Sequence, residues 1–202
     1  MVKTMTIREE MDSFKRERIR GHAEQLFYVN GFSGTTMEAI AESLHATKPF
    51  LYGAYAKKID ILVDIHLSVV QSILDAIDST RASNGTVTAK LERVARKLTA
   101  LTLENQAAVA IYFREETSIP PRQTRKINEI KGRIDESLAA LLAEGVATGE
   151  FRVDDVRLTA LALGGMISWS YTWFRSNGRL DVDAIGEHMA RYALRLAGVS
   201  HA

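Results

Sequence analysis

Apolar residues recur at three- and four-residue spacing along almost the whole chain, which is the pattern of amphipathic helices. Stretches in which β-branched residues alternate with polar ones, the pattern of a half-buried strand, are nearly absent. The sequence therefore predicts an all-α protein. Its 202 residues, 46% of them hydrophobic and 25% charged, are enough to bury a core.

Helix-breaking residues divide this pattern into a series of predicted helices. The first runs from about Phe14 to Asn30 and stops at Gly31, because glycine favours the positive φ of a C-terminal cap. A long helix over 58–81 ends at Ser83-Asn84-Gly85. Beyond it, the spacing predicts helices over 87–104, 106–117, 121–147, 155–176 and 182–198.

Composition limits the compartment and the partners. The absence of cysteine excludes disulfides and thiolate metal sites, and the charged first segment differs from a secretory signal, so we expect a cytoplasmic protein. No stretch approaches the roughly 20 apolar residues of a membrane span, so no membrane partner is expected. A net charge of only +1 means that any affinity for nucleic acid must come from locally clustered cations.

Two short helices joined by a tight turn are predicted directly after the first helix. Thr35 and Glu38 form a capping box ahead of the first short helix. Thr47 is expected to cap the second, over 48–55, in which Pro49 is tolerated because first-turn N–H groups have no acceptor within the helix. Such a pair, the second helix exposing polar and aromatic side chains, forms the helix-turn-helix that lays a recognition helix in the DNA major groove.

The chemistry of these side chains suits a double-stranded DNA surface. Lys48 can reach a guanine edge, and hydroxyl groups can donate to phosphate oxygens. The expected hydroxyl donors are Thr35, Thr36, Thr47, Tyr52 and Tyr55.

The same segment resembles a known family. The run from Gly31 to Ala41 (GFSGTTMEAIA), followed by TKPFLY and then by YAKK at 55–58, is similar to the DNA-binding signature of the TetR family of regulators. This resemblance implies a bacterial transcription repressor. The phosphate contacts that it implies come from Thr36, Thr47, Tyr52 and Lys58, and the base or groove contacts from Lys48, Pro49 and Phe50.

Two positions depart from the family pattern. His45 stands where the family usually has glycine in the turn, and Pro49 stands where glycine or another small residue is common. A histidine with positive φ is strained but better tolerated than most residues other than glycine.

We expect a three-helix DNA-binding domain over 1–57 and a larger helical domain for effector binding and dimerisation over 58–202. A homodimer is expected because one helix-turn-helix binds only one half-site. The predicted dimer surface lies on the last two helices, with monomer core as the alternative for the same residues: Leu161, Gly164, Gly165, Ser168, Tyr171, Met189, Tyr192, Ala193 and Leu196.

The larger domain carries more large apolar residues than a plain scaffold needs, which favours a cavity for a small hydrophobic effector. The predicted lining residues are Leu98, Leu101, Tyr112, Phe113, Glu116, Leu138, Trp169 and Trp173. Arg114 is a further polar candidate if it points inward. The alternative is that the aromatic residues simply fill the core.

The pattern around Trp169, Trp173 and Gly178 resembles the C-terminal domain of TetR-type regulators of fatty-acid and steroid degradation, which sense acyl-CoA thioesters. The resemblance implies an acyl-CoA-like effector whose phosphates would need a basic mouth. Nearby candidates for that mouth, which otherwise form a solvated helix face, are Arg122, Arg125, Lys126, Lys131 and Arg133.

Two other functions remain open. The C-terminal domain could serve dimerisation alone, in a DNA-binding protein without an effector. A metal-dependent helical-bundle enzyme would use Glu-x-x-His twice on long helices, whereas a single copy, Glu42 to His45, occurs in the predicted turn. We therefore expect no catalytic residues, no metal and no cofactor.

Overall fold

A computed structural model of the chain describes residues 6–199, and every regular element in that part is helical. The prediction of an all-α protein is confirmed. Two 3-10 turns, Glu116–Ser118 and Trp169–Thr172, accompany the α-helices. The α-helices are α1 (Ile7–Gly34), α2 (Met37–Ser43), α3 (Lys48–Tyr52), α4 (Lys58–Arg81), α5 (Val87–Glu104), α6 (Gln106–Arg114), α7 (Pro121–Ala147), α8 (Val156–Ser168) and α9 (Val182–Leu196).

The bounds of α4, α5 and α7 agree with the predicted ranges. Helix α1 begins at Ile7 rather than Phe14, because Thr6 caps it. The Glu9 carboxylate completes the capping box by accepting from the Thr6 backbone N–H at 2.7 Å. Gly31 has the expected positive φ (75°), but its ψ of 162° is extended rather than left-handed, and one further helical turn follows it.

Helix α8 ends at Ser168, so the predicted helix over 155–176 is wrong in its last third. The Gln106 side chain donates to the carbonyl oxygens of Tyr171 (2.6 Å) and Phe174 (3.3 Å), and this holds the segment in a path that is not α-helical. Similarly, α6 ends at Arg114, and the chain continues as a 3-10 turn. Both differences concern contacts between distant segments rather than local propensity.

Two large clusters of buried side chains hold the fold together. The first joins α1–α3 to the first half of α4, to α6 and to the start of α7, with Phe27, Leu51 and Ile65 among its fully buried members. The second joins the end of α4 to α5, α7, α8 and α9. The boundary expected at 57/58 is not marked by a gap, because the first cluster crosses it. Residues 1–5 and 200–202 of the two predicted domains lie outside the described residues.

No described helix is long and apolar enough to traverse a bilayer.

Candidate DNA-binding surface and ligand cavity

The helix-turn-helix is formed by α2, a tight turn and α3. Thr36 caps α2 by accepting from the Ala39 N–H at 3.1 Å. The prediction that Thr35 is the capping residue is therefore wrong by one position. In the turn, His45 adopts a φ of 51°, the left-handed conformation for which glycine would otherwise be favoured. This geometry reverses the chain within three residues of the end of α2.

Helix α3 is anchored by one residue and exposes the others. Leu51 is fully buried in the first core cluster. Around it, the side chains expected to contact DNA face solvent: Thr47, Lys48, Pro49, Phe50 and Tyr52. Thr47 occupies the N-cap position as predicted, but its side chain makes no capping hydrogen bond, so its hydroxyl is available to a phosphate.

Two lysines, Lys15 of α1 and Lys48 of α3 itself, place positive charge at the recognition helix. The Nζ of Lys15 lies 4.5 Å from the centre of the Phe50 ring, and the Nζ of Lys48 lies 3.1 Å from Oε1 of Glu38. Lys15 thus places a positive charge of α1 next to the recognition helix, where it can attract phosphate. Sequence spacing alone could not distinguish it from the solvated charges around it.

Tyr55 does not lie on this surface. Its side chain is only 2% exposed, and its hydroxyl donates a short hydrogen bond to the carboxylate of Asp64. Burial and this carboxylate raise the pKa of the Tyr55 phenol. The Arg16 guanidinium covers the ring at 4.6 Å. The expectation that Tyr55 donates to DNA is therefore wrong, because its hydroxyl instead ties the loop after α3 to α4.

Thr35 is also internal. It is 1% exposed, and its hydroxyl donates to the carbonyl oxygens of Leu26 (3.2 Å) and Gly31 (2.9 Å). The predicted phosphate contact from Thr35 is wrong for the same reason as that from Tyr55. The exposed hydroxyl at this end of α2 belongs to Thr36.

Lys58 is largely engaged within the chain. Its ammonium donates to the carbonyl oxygens of Phe32 and Thr35, each at 2.6 Å, and lies 4.4 Å from the centre of the Phe32 ring. Two of its three N–H donors therefore close the junction between α1 and α4. One N–H group of Lys58 is left to make the expected phosphate contact.

A cavity of about 200 Å³ lies between the middle of α4 and helices α5–α8. Four predicted lining residues are in its wall: Leu98, Tyr112, Phe113 and Leu138. Much of the remaining wall is aliphatic and comes from α4, which sequence reasoning did not select: Val69, Val70 and Ile73. Their apolar spacing predicted only that α4 has a buried face.

The other four predicted lining residues lie elsewhere. Trp169 and Trp173 are 61% and 49% exposed and are outside the cavity wall, since the chain leaves the helical path at Ser168. Leu101 lines an adjoining polar cleft between α1 and helices α4–α6, which shares part of its wall with the cavity: Val69, Ile73, Thr102 and Val109. Glu116 is at the cavity mouth only indirectly, through its 2.9 Å ion pair with Lys131.

The polar end of the cavity is formed by α6 and α7. Tyr112, Lys131 and Asp135 line it, and Lys131 lies 5.6 Å from the centre of the Tyr112 ring. Burial raises the pKa values of the Tyr112 phenol and the Asp135 carboxyl. Of the cations expected at a basic mouth, Lys131 lines the cavity, whereas the others do not: Arg122, Arg125, Lys126 and Arg133.

The end of α6 contacts the DNA-binding unit directly. Arg114 donates to the carbonyl oxygens of Phe27 and Tyr28 in α1, so it does not point into the cavity. Glu115 accepts from the Phe32 N–H at 3.4 Å. These two residues follow Tyr112 and Phe113 immediately, so the cavity wall and the clamp on α1 belong to one short segment.

His66 joins α4 to α6. It is fully buried, with Nδ1 2.9 Å from the carbonyl oxygen of Leu62 and Nε2 3.1 Å from that of Tyr112. Burial lowers the pKa of His66, which favours the neutral ring. A neutral ring donates only one of these hydrogen bonds, so the other nitrogen faces an oxygen without a proton between them.

The outer faces of α8 and α9 carry exposed apolar side chains, including three of the predicted dimer residues, Leu161, Tyr192 and Leu196. Two further exposed apolar residues are Leu158 and Trp169. Met189 and Ala193 are 6% and 0% exposed, so these two belong to the monomer core rather than to the surface. Among the described residues, no group of three or more carboxylate or imidazole side chains is placed to hold a metal.

An exposed recognition helix on a three-helix unit, packed against a larger helical domain with a cavity, defines a helix-turn-helix transcription regulator with a ligand-binding domain. Residues 84–197 match the family model described as the tetracyclin repressor-like C-terminal domain, and residues 19–65 match that of the bacterial regulatory proteins of the tetR family. The chain belongs to the TetR family of transcriptional regulators.

Solved structures show the same fold. A tetR-family regulatory protein from Rhodococcus RHA1 has a TM-score of 0.84 at 24% identity, over 93% of this chain and 98% of that one. The regulator PfmR from Thermus thermophilus has a TM-score of 0.81 at 26% identity, over 88% and 97%. AibR, solved in complex with isovaleryl coenzyme A and operator DNA, has a TM-score of 0.78 at 23% identity, over 89% and 98%. A comparison with curated proteins gave no significant match.

Proposed function

We propose that this protein is a repressor that binds operator DNA as a homodimer and is released by a small, largely apolar effector. One observation carries the proposal: the segment that lines the cavity, Tyr112 and Phe113, continues directly into the residues that hold α1, Arg114 and Glu115. An occupant of the cavity therefore acts on the segment that positions the DNA-binding unit.

Operator recognition is assigned to the exposed side of α3. Lys48 and Phe50 are offered to the base edges, with Pro49 between them. Thr36, Thr47 and Tyr52 are offered to the phosphates, together with the remaining donor of Lys58. Each of these groups except Lys58 is exposed, while Leu51 fixes the helix to the core.

Dimerisation is assigned to the outer faces of α8 and α9. A contiguous apolar surface is unfavourable in a soluble monomer, and helix-turn-helix dimers place two recognition helices about 34–36 Å apart. Leu161 and Leu196 would be buried in such a pairing. Chain mass in solution, measured by light scattering, tests this assignment, and a monomer at micromolar concentration contradicts it.

Release follows from coupling between the cavity and the spacing of the recognition helices. Helix α4 lines the cavity through Val69 and Ile73 and holds the DNA-binding unit through Ile61 and Ile65. A difference of about 1–3 kcal/mol in effector affinity between two conformations changes operator occupancy by about 5–150-fold. That range is enough for a switch.

An acyl-CoA is one candidate effector, supported by the resemblance of the C-terminal domain to acyl-CoA-responsive regulators. The AibR structure, which contains isovaleryl coenzyme A, shares the fold. In this version the acyl group would occupy the cavity.

The alternative is a DNA-binding dimer whose C-terminal domain binds no effector. Selection of the operator from random duplexes, followed by operator titrations with and without candidate effectors, separates the two. Melting temperatures against acyl-CoAs, fatty acids and hydrophobic drugs provide the screen, because a ligand that binds only the folded state raises the melting temperature. Equal operator affinity with and without a saturating ligand would remove the sensor role.

A further inference from the structure

The walls of the cavity and its mouth differ in chemistry. The interior is lined mainly by aliphatic side chains of α4–α8, together with the Tyr112 ring and Thr102, whose hydroxyl donates to the Leu98 carbonyl oxygen. The exposed wall residues are Phe113 and Asp135, and the half-buried Lys131 lies one helical turn before Asp135, so these three side chains mark the mouth. A ligand that fills the cavity would therefore bury an apolar body and leave one end at the mouth.

The volume of the cavity itself suits a compact molecule. Apolar cavities of about 150 Å³ in proteins accommodate a single benzene ring. A volume of about 200 Å³ accommodates such a ring with one or two small substituents, and not a long acyl chain. The ring of Phe113 stacks on Tyr171 with centres 5.3 Å apart, which gives the mouth a flat aromatic edge.

The mouth presents hydrogen-bond donors and an acceptor side by side. Lys131 donates to Glu116 at 2.9 Å and has further N–H groups, and the Tyr112 hydroxyl lies in the same end of the cavity. Asp135, one helical turn from Lys131 on α7, offers carboxylate oxygens. Donor and acceptor are thus both within reach of one small polar group.

The charges select among ligand head groups. Two carboxylates, Glu116 and Asp135, accompany the single ammonium of Lys131, so a carboxylate or the phosphates of a coenzyme A would meet a net negative mouth. A primary amine would be attracted by Asp135 but repelled by the ammonium of Lys131 beside it. A ketone would accept from Lys131 but leave Asp135 without a donor, whereas a hydroxyl group both donates and accepts.

We infer that the effector is a compact, uncharged alcohol or phenol, whose apolar body fills the cavity and whose hydroxyl donates to Asp135 while accepting from Lys131 or Tyr112. This inference rests on the proposed function, since it names the ligand class of the proposed sensor cavity. It disfavours an acyl-CoA as the natural ligand of the cavity.

Calorimetric titration of the full-length protein with four probes tests the inference. The probes are para-ethylphenol, ethylbenzene, para-ethylbenzoate and butyryl-CoA. We expect para-ethylphenol to bind about tenfold more tightly than each of the other three probes. It is the one probe that is uncharged and also carries a hydroxyl that can donate to the Asp135 carboxylate. Tighter or equal binding of the benzoate or of butyryl-CoA would overturn the inference and leave the sensor role standing.

Two substitutions test which side chains bind the hydroxyl of the phenol. Asp135→Ala and Tyr112→Phe should each weaken para-ethylphenol about tenfold and leave ethylbenzene unchanged, since only the phenol uses these groups. Glu136→Ala, which removes the adjacent exposed carboxylate on α7, should change neither. If the Asp135 variant keeps the full preference for the phenol, the inference is wrong. If no probe binds a preparation that still binds operator, the inference fails while the DNA-binding function does not.

Discussion

Glu38 and Lys48 form an ion pair across the helix-turn-helix, with Oε1 of Glu38 3.1 Å from Nζ of Lys48. The hydrogen bond from Lys48 lowers the pKa of the Glu38 carboxyl. Both side chains are more than half exposed, so the pair is weakened by solvent and salt. In the free protein, the lysine expected to reach a base is therefore held by a carboxylate of α2, and it must exchange this partner when DNA arrives.

Glu38→Gln should strengthen operator binding by about two- to fivefold, because it frees Lys48 and removes a negative charge beside the phosphates. Fluorescence anisotropy with a labelled duplex at several salt concentrations measures this change. Glu42→Gln provides the comparison, since Glu42 is an exposed carboxylate of the same helix. An equal gain in both variants would show a general charge effect rather than release of Lys48.

Lys48→Ala should weaken operator binding by about 10- to 100-fold and relax the preference at one base pair, because it removes a direct contact to a base edge. The circular dichroism spectrum should be unchanged, since the lysine side chain is exposed. Binding to a set of operators with single base changes measures the loss of preference. Uniform weakening across all sequences would instead assign Lys48 to a phosphate.

Tyr52→Phe should weaken all duplexes alike, by about three- to tenfold, because it removes one hydrogen bond to the sugar-phosphate backbone. Tyr28→Phe tests for a non-specific effect, since Tyr28 is an exposed tyrosine of α1 outside the helix-turn-helix. If the Tyr52 variant binds with unchanged affinity and salt dependence, the assignment of the recognition surface to α3 is wrong.

Local sequence pattern was sufficient for the long helices and for the turn. Helices α4, α5 and α7 are long and amphipathic: Thr86 caps α5, Pro121 begins α7, and the helix-breaking Ser83-Asn84-Gly85 follows the end of α4. It was also sufficient to place Thr47 at a cap position and His45 in the turn. In these cases, the determining interactions lie within a few residues along the chain.

Contacts between distant residues explain the incorrect predictions. Tyr55 has the residue type and spacing of a surface donor, and only its packing beside Asp64 and Arg16 makes it internal. Similarly, Trp169 and Trp173 are large and apolar, but the 3-10 turn that follows α8 turns them outward. Hydrophobicity predicted that a cavity wall would be apolar, but not which apolar residues would form it.

Arg114→Ala should reduce the ratio of operator affinities without and with effector, expected to be about 5–150-fold in the wild type, towards one. Effector binding itself should persist. The side chain carries the contact from α6 to the carbonyl oxygens of Phe27 and Tyr28. Operator titrations with and without a ligand identified by melting temperature measure the ratio. Arg133→Ala removes an exposed arginine of α7 and should leave it unchanged. An unchanged ratio in the Arg114 variant would show that α4 alone carries the coupling.

Glu150 holds the start of α5 together with the N-cap residue Thr86, whose side chain accepts from the Ala89 N–H at 3.2 Å. The Glu150 carboxylate accepts from the N–H groups of Val87 (3.1 Å) and Thr88 (2.9 Å), and from the Thr88 hydroxyl at 2.8 Å. The hydrogen bond from the Thr88 backbone lowers the pKa of this carboxyl below its ordinary value of 4.5. The folded protein therefore binds this proton less tightly than the unfolded chain, and the carboxylate stabilises the fold where it is ionised.

The stabilisation by Glu150 is complete above the unfolded-state pKa of 4.5 and is lost as pH falls through the lower folded-state pKa. Glu150→Gln should therefore destabilise the protein at neutral pH and flatten the loss of stability that occurs as pH falls from the unfolded-state pKa through the lowered folded-state pKa. Glu136→Gln, at an exposed position of α7, should preserve the wild-type slope. Melting temperature as a function of pH measures both, and a Glu150 variant that keeps the wild-type slope would mean that other carboxylates set the acid limit of the fold.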